Sequence, residues 1–381
     1  MPKSTKRLSK IYLDYSSGVE PNPSTIHSEG QKAKKDLENA RREVARILHA
    51  RPEEIIFTSG GTESNNIAIQ GCVFASRNGH LPHIITTNIE HPSVLETFHL
   101  LKKRKLTNVS IVPVEPGGIV DPKKIIREIN KHTVLVSVMY ANNEIGTIQP
   151  IKEIVKEIRH FKKYNKRENI YFHTDAVQAA NYLDLDVERL GVDFLSLSGS
   201  KIENAGRIGI LFKKKSASME NIFGGGDQEF GMRPGTENLP AILKFVSALD
   251  SAQKVKDKEF KRLSTLRDYF VKKLISLNPR IIINGDMIRR LPNSINITIP
   301  NIPSDLLVIE LSEHGIMVSA KSACKSGDGK ASHVIKAINP NINEEDGSLR
   351  FSFGRATTKK EIDDTFNALS EILKKLKKWY D

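Results

Sequence analysis

From Ile55 onward the chain alternates short β-branched runs with amphipathic ones. "EIIFTSG" leads into "TESNNIAIQGCVFAS", and "HIITTNIE" into "HPSVLETFHLLKKRK". "VSIVPVE" precedes "DPKKIIREIN", and "TVLVSVMYANN" precedes "PIKEIVKEIRHFKKY". "NIYFHTDAV", "VDFLSLSG" and "GRIGILFKK" read as further strands. Continuously apolar strands alternating with one-sided helices predict an α/β fold, a mostly parallel sheet with helices on both faces.

Past "GGGDQEFGMRPGTENLP" the pattern changes. A helical stretch from about Thr236 to Ser276 contains no strand. It is followed by "NSINITIP", "PSDLLVIELSEHG", "IMVSA", "SLRFSFG" and a closing helix, "TKKEIDDTFNALSEILKKLKKWY". This predicts a large domain over residues 15–250 and a smaller α+β domain from residues 1–14 plus 251–381. No internal repeat or low-complexity segment interrupts the pattern. In an open α/β sheet, ligands gather beyond the carboxyl ends of the strands. The polar residues expected to converge there are Ser59, Gly60, Gly61, Thr62, His91, Asn142, Asn143, Asp175, Gln178, Ser198, Ser200 and Lys201.

Composition narrows the class. The 381 residues are 39% hydrophobic and 27% charged, an ordinary balance for a globular protein. No apolar run approaches a membrane span, and "MPKSTKRLSK" lacks the apolar core of a signal peptide. A cytoplasmic protein without a membrane partner is expected. The net charge of +13 would suit a polyanion. Its lysines, however, are dispersed along helices without interleaved aromatics or a nucleic-acid motif. A solvated basic surface is the reading, with no specific nucleic-acid partner.

The two cysteines exclude a disulfide framework and a cysteine-rich metal site. Cys72 lies in an apolar helical run and reads as an inert core residue. Cys324 lies in "SAKSACKSGDGKASH", a small, polar, cationic loop of the kind that keeps a thiol accessible and favours its thiolate.

"TSGGTESNN" passes from strand through glycines into a helix, which suits an anion at the helix N-terminus. It lacks the spacing of a Walker loop or a dinucleotide fingerprint. Asp175 in "FHTDAVQAA" ends a strand, where a carboxylate needs a cationic partner such as a protonated heterocycle, or else serves as a cap or salt bridge. "HTD" alone does not make a metal site without HExxH or CxxC beside it, and no metal is expected. Lys201, in "FLSLSGSKIENAG", can pair with an acid or form a Schiff base with an aldehyde cofactor. A phosphate cup, a carboxylate and a lysine are the parts that hold pyridoxal 5'-phosphate. His91 can stack on its ring, shuttle protons or simply cap a helix.

"YLDY", "IIFTSGGTESNN", "IEHPSVLE", "NNEIGTIQPI", "HTDAVQAA", "DFLSLSGSK", "GGGDQEFGMRPGTEN", "SACKSG", "SHVIKAI" and "RFSFGRATT" together resemble the successive motifs of cysteine desulfurases. The resemblance is to the nitrogen-fixation and iron–sulfur-cluster type, within the class-V aminotransferases of pyridoxal-phosphate fold type I. It covers almost the whole chain, in order. It implies that Lys201 is the Schiff-base lysine, His91 the ring-stacking acid/base histidine, Asp175 the partner of the pyridine nitrogen and Gln178 that of the phenolic oxygen. Asn143 would line the cofactor and substrate site. Gly61, Thr62, Ser198 and Ser200 would surround the phosphate, and Thr236 would reach the phosphate of the neighbouring subunit in a homodimer. Arg350 would clamp the carboxylate of the substrate, L-cysteine, and Cys324 would take its sulfur as a persulfide. A sulfur acceptor or iron–sulfur scaffold protein is the implied partner.

The chain departs from the family at several places. Ser200 replaces the usual histidine before the lysine, which alters one phosphate contact. The segment between "YLDY" and "NPSTIH" is short, so part of the site wall is expected to be missing. Lys321 stands where the family prefers glycine, and the short end after "KKWYD" bears on scaffold docking. Two alternatives stay open: another class-V reaction, such as selenocysteine lysis or transamination, and a cofactor-free structural or interaction member. Cys324 in a loop of family length favours desulfuration.

Overall fold

The computed structural model describes residues 11–77, 79–167, 169–320, 332–342 and 346–380. Seven strands form the main sheet: β1 (Ile55–Thr58), β2 (His83–Thr87), β3 (Asn108–Val112), β4 (Thr133–Ser137), β5 (Tyr171–Asp175), β6 (Phe194–Ser198) and β7 (Gly209–Lys213). Their order is β1-β7-β6-β5-β4-β2-β3. β7 runs antiparallel to both its neighbours, while the β6-β5-β4-β2-β3 block is parallel. Consecutive residues such as Ile84 and Ile85, or Ile55, Ile56 and Phe57, are all buried. Both faces of the sheet are therefore covered, which is why these strands lack alternation.

The helices on the two faces differ accordingly. α1 (Ser28–Leu48), α4 (Pro122–Glu128), α5 (Ile151–Tyr164), α6 (Val187–Leu190) and the first half of α7 (Leu239–Leu277) share one core with the sheet. α5 buries Ile151, Ile154, Val155 and Ile158 at helical spacing. The opposite face carries α2 (Gly61–Ala75) and α3 (Pro92–Lys103). α2 is apolar on most sides because it lies between the sheet and α3. Cys72 sits in that layer, fully buried, and burial pushes its thiol up to about 12. It is a core residue.

β1 is an edge strand, and its free edge is closed by side chains instead of another strand. Arg41 of α1 donates to the Ile55 carbonyl at 2.7 Å, and Glu229 accepts from the Phe57 amide at 2.7 Å. The two form a bidentate pair at 2.7 and 2.8 Å, with the guanidinium stacked near Phe57 and Phe230. Glu229 and Phe230 adopt left-handed backbone, φ 49° and 60°, which costs non-glycine residues about 1–3 kcal/mol each. The buried pair holds that turn, since breaking one side of such a pair costs roughly 3–5 kcal/mol.

A second core gathers around β8 (Ile282–Ile283), β9 (Ser294–Ile299) and β10 (Gly347–Ser352), with the second half of α7, α8 (Ser304–Glu313) and α10 (Lys359–Tyr380). "IMVSA" contributes only a bridge between Ser319 and Arg350. The chain then returns to the main core with α9 (His333–Ile338), whose Val334, Ile335 and Ile338 pack there. No helix among the described residues is long and apolar enough to cross a membrane.

Candidate active site

The carboxyl ends of the parallel strands open into a cavity of about 550 Å³, within the range of small-molecule sites. Ten residues singled out in the sequence line it: Gly61, Thr62, His91, Asn143, Asp175, Gln178, Ser198, Ser200, Lys201 and Arg350. Nine of them sit at the carboxyl end of a strand or in the turn, connection or helix start that follows it, and Arg350 is brought across by β10 of the small sheet.

One end is an anion cup. β1 runs into Ser59 and Gly60, and α2 begins at Gly61 with no side chain capping it. The first-turn N–H groups of a helix have no intrahelical acceptor and carry the positive end of its dipole. Ser198 and Ser200 bring hydroxyls to the same end, 3.0 Å apart. A Cβ on Gly209 would stand 2.5 Å from Thr58 Oγ1 and 2.6 Å from Gly60 Cα. Only glycine lets β7 start beside this turn.

Asp175 ends β5 and is buried. Val177 N donates to its Oδ1 at 3.0 Å and Asn65 Nδ2 to its Oδ2 at 2.8 Å. Among the described residues no cation is in ion-pair contact with it and no helix starts after it, so neither a salt bridge nor a helix cap accounts for this carboxylate, which a turn amide and the Asn65 amide hold beside the cavity. His91 caps α3: its Nδ1 accepts from Ser93 N at 3.1 Å and lies 2.8 Å from Ser93 Oγ. Burial, the largest influence, holds this imidazole below its ordinary range. Lys201 and His333 push the same way, and Asp175 and Glu144 oppose them. Lys201 ends a single 3₁₀ turn after β6. Its carbonyl accepts from Asn181 Nδ2 at 2.6 Å, and among the described residues no carboxylate pairs with its amine.

Arg350 Nη1 donates to the Asn143 carbonyl at 3.0 Å and Nη2 to Ser319 Oγ at 3.3 Å. Its fork is thereby fixed where the two sheets' connections meet. Asn142, expected to face the cavity beside Asn143, turns inward instead. Its Nδ2 donates to the Ile89 carbonyl and its Oδ1 accepts from Glu144 N and Ile145 N, so it builds the turn that presents Asn143. Thr236 is exposed just before α7 and does not line this cavity. Cys324 and Lys321 lie outside the described residues.

Sequence reasoning missed Asn65 and Ser93, both in the cavity wall. Asn65 stands four residues after Gly61, one turn along α2, and a helical reading of "GTESNN" would have put it on the same face. Ser93 carries no comparable signal.

The donor set fits pyridoxal 5'-phosphate. A cup of hydroxyls and helix N–H groups suits the phosphate, Asp175 suits a protonated ring nitrogen, and an unpaired amine suits the aldehyde.

Comparison with known proteins agrees with this geometry. The class-V aminotransferase model matches residues 2–365. The cysteine desulfurase IscS of Dictyoglomus turgidum is 41% identical over 93% of this chain and 88% of its own length. A solved NifS-like protein superposes with a TM-score of 0.84 at 33% identity, covering 93% of this chain and 92% of that one. The solved SspA in complex with cysteine gives a TM-score of 0.72 at 31% identity, over 87% and 90% of the two chains. The fold is thus that of the NifS-like, fold-type-I enzymes. The chain belongs to the class-V aminotransferase family, and within it to the cysteine desulfurases.

Proposed function

We propose that this chain, as a cytoplasmic homodimer holding pyridoxal 5'-phosphate in the described cavity, converts L-cysteine to L-alanine and receives the sulfur on Cys324 as a persulfide. The sulfur then passes to an acceptor for iron–sulfur cluster or other thio-cofactor assembly. The observation that carries the reading is one cavity combining the α2 cup, Asp175, Lys201 and the fixed fork of Arg350.

Gly61, Thr62, Ser198 and Ser200 would hold the phosphate, and Thr236 would complete the cup of a second copy. Asp175 would face the ring nitrogen, Gln178 the phenolic oxygen, and His91 and Asn143 the remaining wall. Lys201 would anchor the group. Bound there, pyridoxal phosphate supplies an electron sink for the pair left when a Cα proton is removed. Arg350 binds the substrate carboxylate through two parallel N–H groups, a task suited to guanidinium. Lys201 Nζ takes the Cα proton, its amine being released from its anchoring role by the substrate amine. The Cys324 thiolate attacks the substrate sulfur, forming an S–S bond as the carbon–sulfur bond breaks. The electron pair of that bond stays on Cβ, which takes up one proton, and Lys201 Nζ returns the other to Cα, so that alanine is left. We also assign residues 15–250 to one folding unit and 1–14 with 251–381 to the other; two cores centred on two sheets support the division, apart from α9, which packs into the first core.

Product analysis tests the reading. Supplied with L-cysteine and a reductant, the protein is expected to release alanine and sulfide. Cys324→Ser should keep the cofactor and still bind cysteine, yet release almost none of either, because a hydroxyl is a far weaker nucleophile near neutral pH. Undiminished sulfide from Cys324→Ser, accompanied by pyruvate, would replace the persulfide account with an elimination.

A further inference from the structure

Behind the cavity wall, Asp175 and His91 are joined by two residues with no role assigned so far. Asn65 is almost wholly buried on α2. Its Nδ2 donates to Asp175 Oδ2 at 2.8 Å and to Ser93 Oγ at 2.8 Å. A carboxylate can only accept, so the amide orientation is fixed by Asp175. Ser93 Oγ lies 2.8 Å from His91 Nδ1, and the Ser93 amide donates to the same nitrogen at 3.1 Å. A backbone N–H can only donate, so Nδ1 holds a lone pair and the ring proton of neutral His91 sits on Nε2. Among the described residues Nε2 has no partner.

We propose that Asn65 and Ser93 are positioning residues that lock His91 as the Nε2–H tautomer and tie its ring to Asp175. His91 then meets a bound molecule as a neutral hydrogen-bond donor, and not as a base. A neutral imidazole whose Nε2 already carries hydrogen cannot accept a proton there, and its Nδ1 is occupied by the Ser93 donors. Proton removal therefore falls to Lys201, the other nitrogen base lining the cavity. His91 would polarise an oxygen or sulfur placed before it.

The titratable groups facing His91 are consistent with a neutral ring. Asp175 on β5 favours its charging and is balanced by Lys201 beyond β6; Glu144 from the β4–α5 connection is balanced by His333 at the start of α9. Glu90, its chain neighbour, is a buried carboxyl that burial pushes up to about 8, so it adds no full negative charge at neutral pH.

This inference rests on reading His91 as part of the active site, but its test needs no turnover and no cofactor. The full chain, labelled with ¹⁵N-histidine, is titrated by NMR, and His91 is assigned by its loss in His91→Gln. The expected neutral form shows a protonated Nε2 and an unprotonated, hydrogen-bonded Nδ1. Hydrogen bonds donated to Nδ1 exist only while His91 is neutral, so Ser93→Ala should raise its pKa by roughly half to one unit. Ser93→Thr, which keeps a hydroxyl, should restore the parent value, and Asn65→Ala should shift His91 in the same direction as Ser93→Ala. An Nδ1–H tautomer in the parent protein would overturn the proposal even if every variant failed to fold. So would a His91 titration unmoved in folded Ser93→Ala. Loss of cofactor binding with the tautomer intact would count against the proposed function alone.

Discussion

Two histidines, His173 and His91, are bonded to serine hydroxyls in the same half of the sheet, and their fates are opposite. His173 lies within β5, between Ser137 of β4 at 2.8 Å and Ser196 of β6 at 3.0 Å. Both ring nitrogens are consumed, the residue is fully buried, and burial drives its pKa down to about 3. His91 lies past the end of β2, where one nitrogen is spent on the cap of α3 and the other is left beside the cavity. Position relative to the strand ends decides which histidine is structural and which is available for chemistry. Asp175, only two residues after His173, makes the same crossing from sheet interior to site.

Substitutions should therefore separate function from stability along this line. The largest effect along this line is expected for His91→Ala, with a loss of turnover of about 10²–10³-fold, as for removing a hydrogen-bond donor aimed at the reacting atoms, and only about 1 kcal/mol of stability from the lost cap. Turnover within a fewfold of the parent would place His91 with the structural residues. His173→Leu should behave oppositely. It strands the Ser137 and Ser196 hydroxyls and should cost roughly 2–4 kcal/mol in a denaturant titration, with the folded fraction still turning over near the parental rate.

pH sharpens the contrast between the sheet interior and its end. The folded pKa of His173 is depressed, so its contribution to stability is present above its ordinary 6.5 and is lost as pH falls toward about 3. Glu90, which accepts from Thr87 Oγ1 at 2.7 Å and from Met139 N at 3.0 Å, is shifted the other way. Its contribution is present below the ordinary 4.5 and is lost as pH rises through about 8. Across that window it should tilt stability downward by roughly 1.4 kcal/mol per pH unit. Glu90→Gln, neutral throughout, should remove the tilt, and an unchanged pH profile of the unfolding midpoint would contradict a protonated Glu90.

The smallest effect is expected for Cys72→Ser. It places a hydroxyl in an apolar layer at a cost of about 1–3 kcal/mol and should leave turnover of folded protein intact, unlike Cys324→Ser.

The strand runs and their polar ends were legible because both faces of the sheet are buried, so a covered strand carries apolar residues on both faces and admits polar ones, such as His173, Ser137 and Ser196, where they bond to each other. Asp175, Lys201 and the "TSGGT" turn followed from ending such strands. Adjacent residues were harder to separate. Asn142 and Asn143 look alike in sequence, and only the turn between β4 and α5 sends one inward and the other to the cavity. Asn65 and Ser93 were not legible because their meaning lies in bonds spanning 110 and 28 residues, which no local pattern encodes. Glu229 was hidden for the same reason: the β1 edge that it closes lies 172 residues earlier in the chain. Thr236, exposed in one copy of the chain, acquires a role only if a second copy is present.

The central claim is that the amine at the end of β6 anchors the cofactor. Purified protein loaded with pyridoxal phosphate is reduced with borohydride, digested, and the labelled peptide identified by mass spectrometry. The account predicts a yellow protein whose cofactor becomes fixed to Lys201, with Lys201→Ala unlabelled and inactive by on the order of a thousandfold or more. Cofactor fixed to a different lysine, or a chain that takes up no pyridoxal phosphate at all, would contradict it.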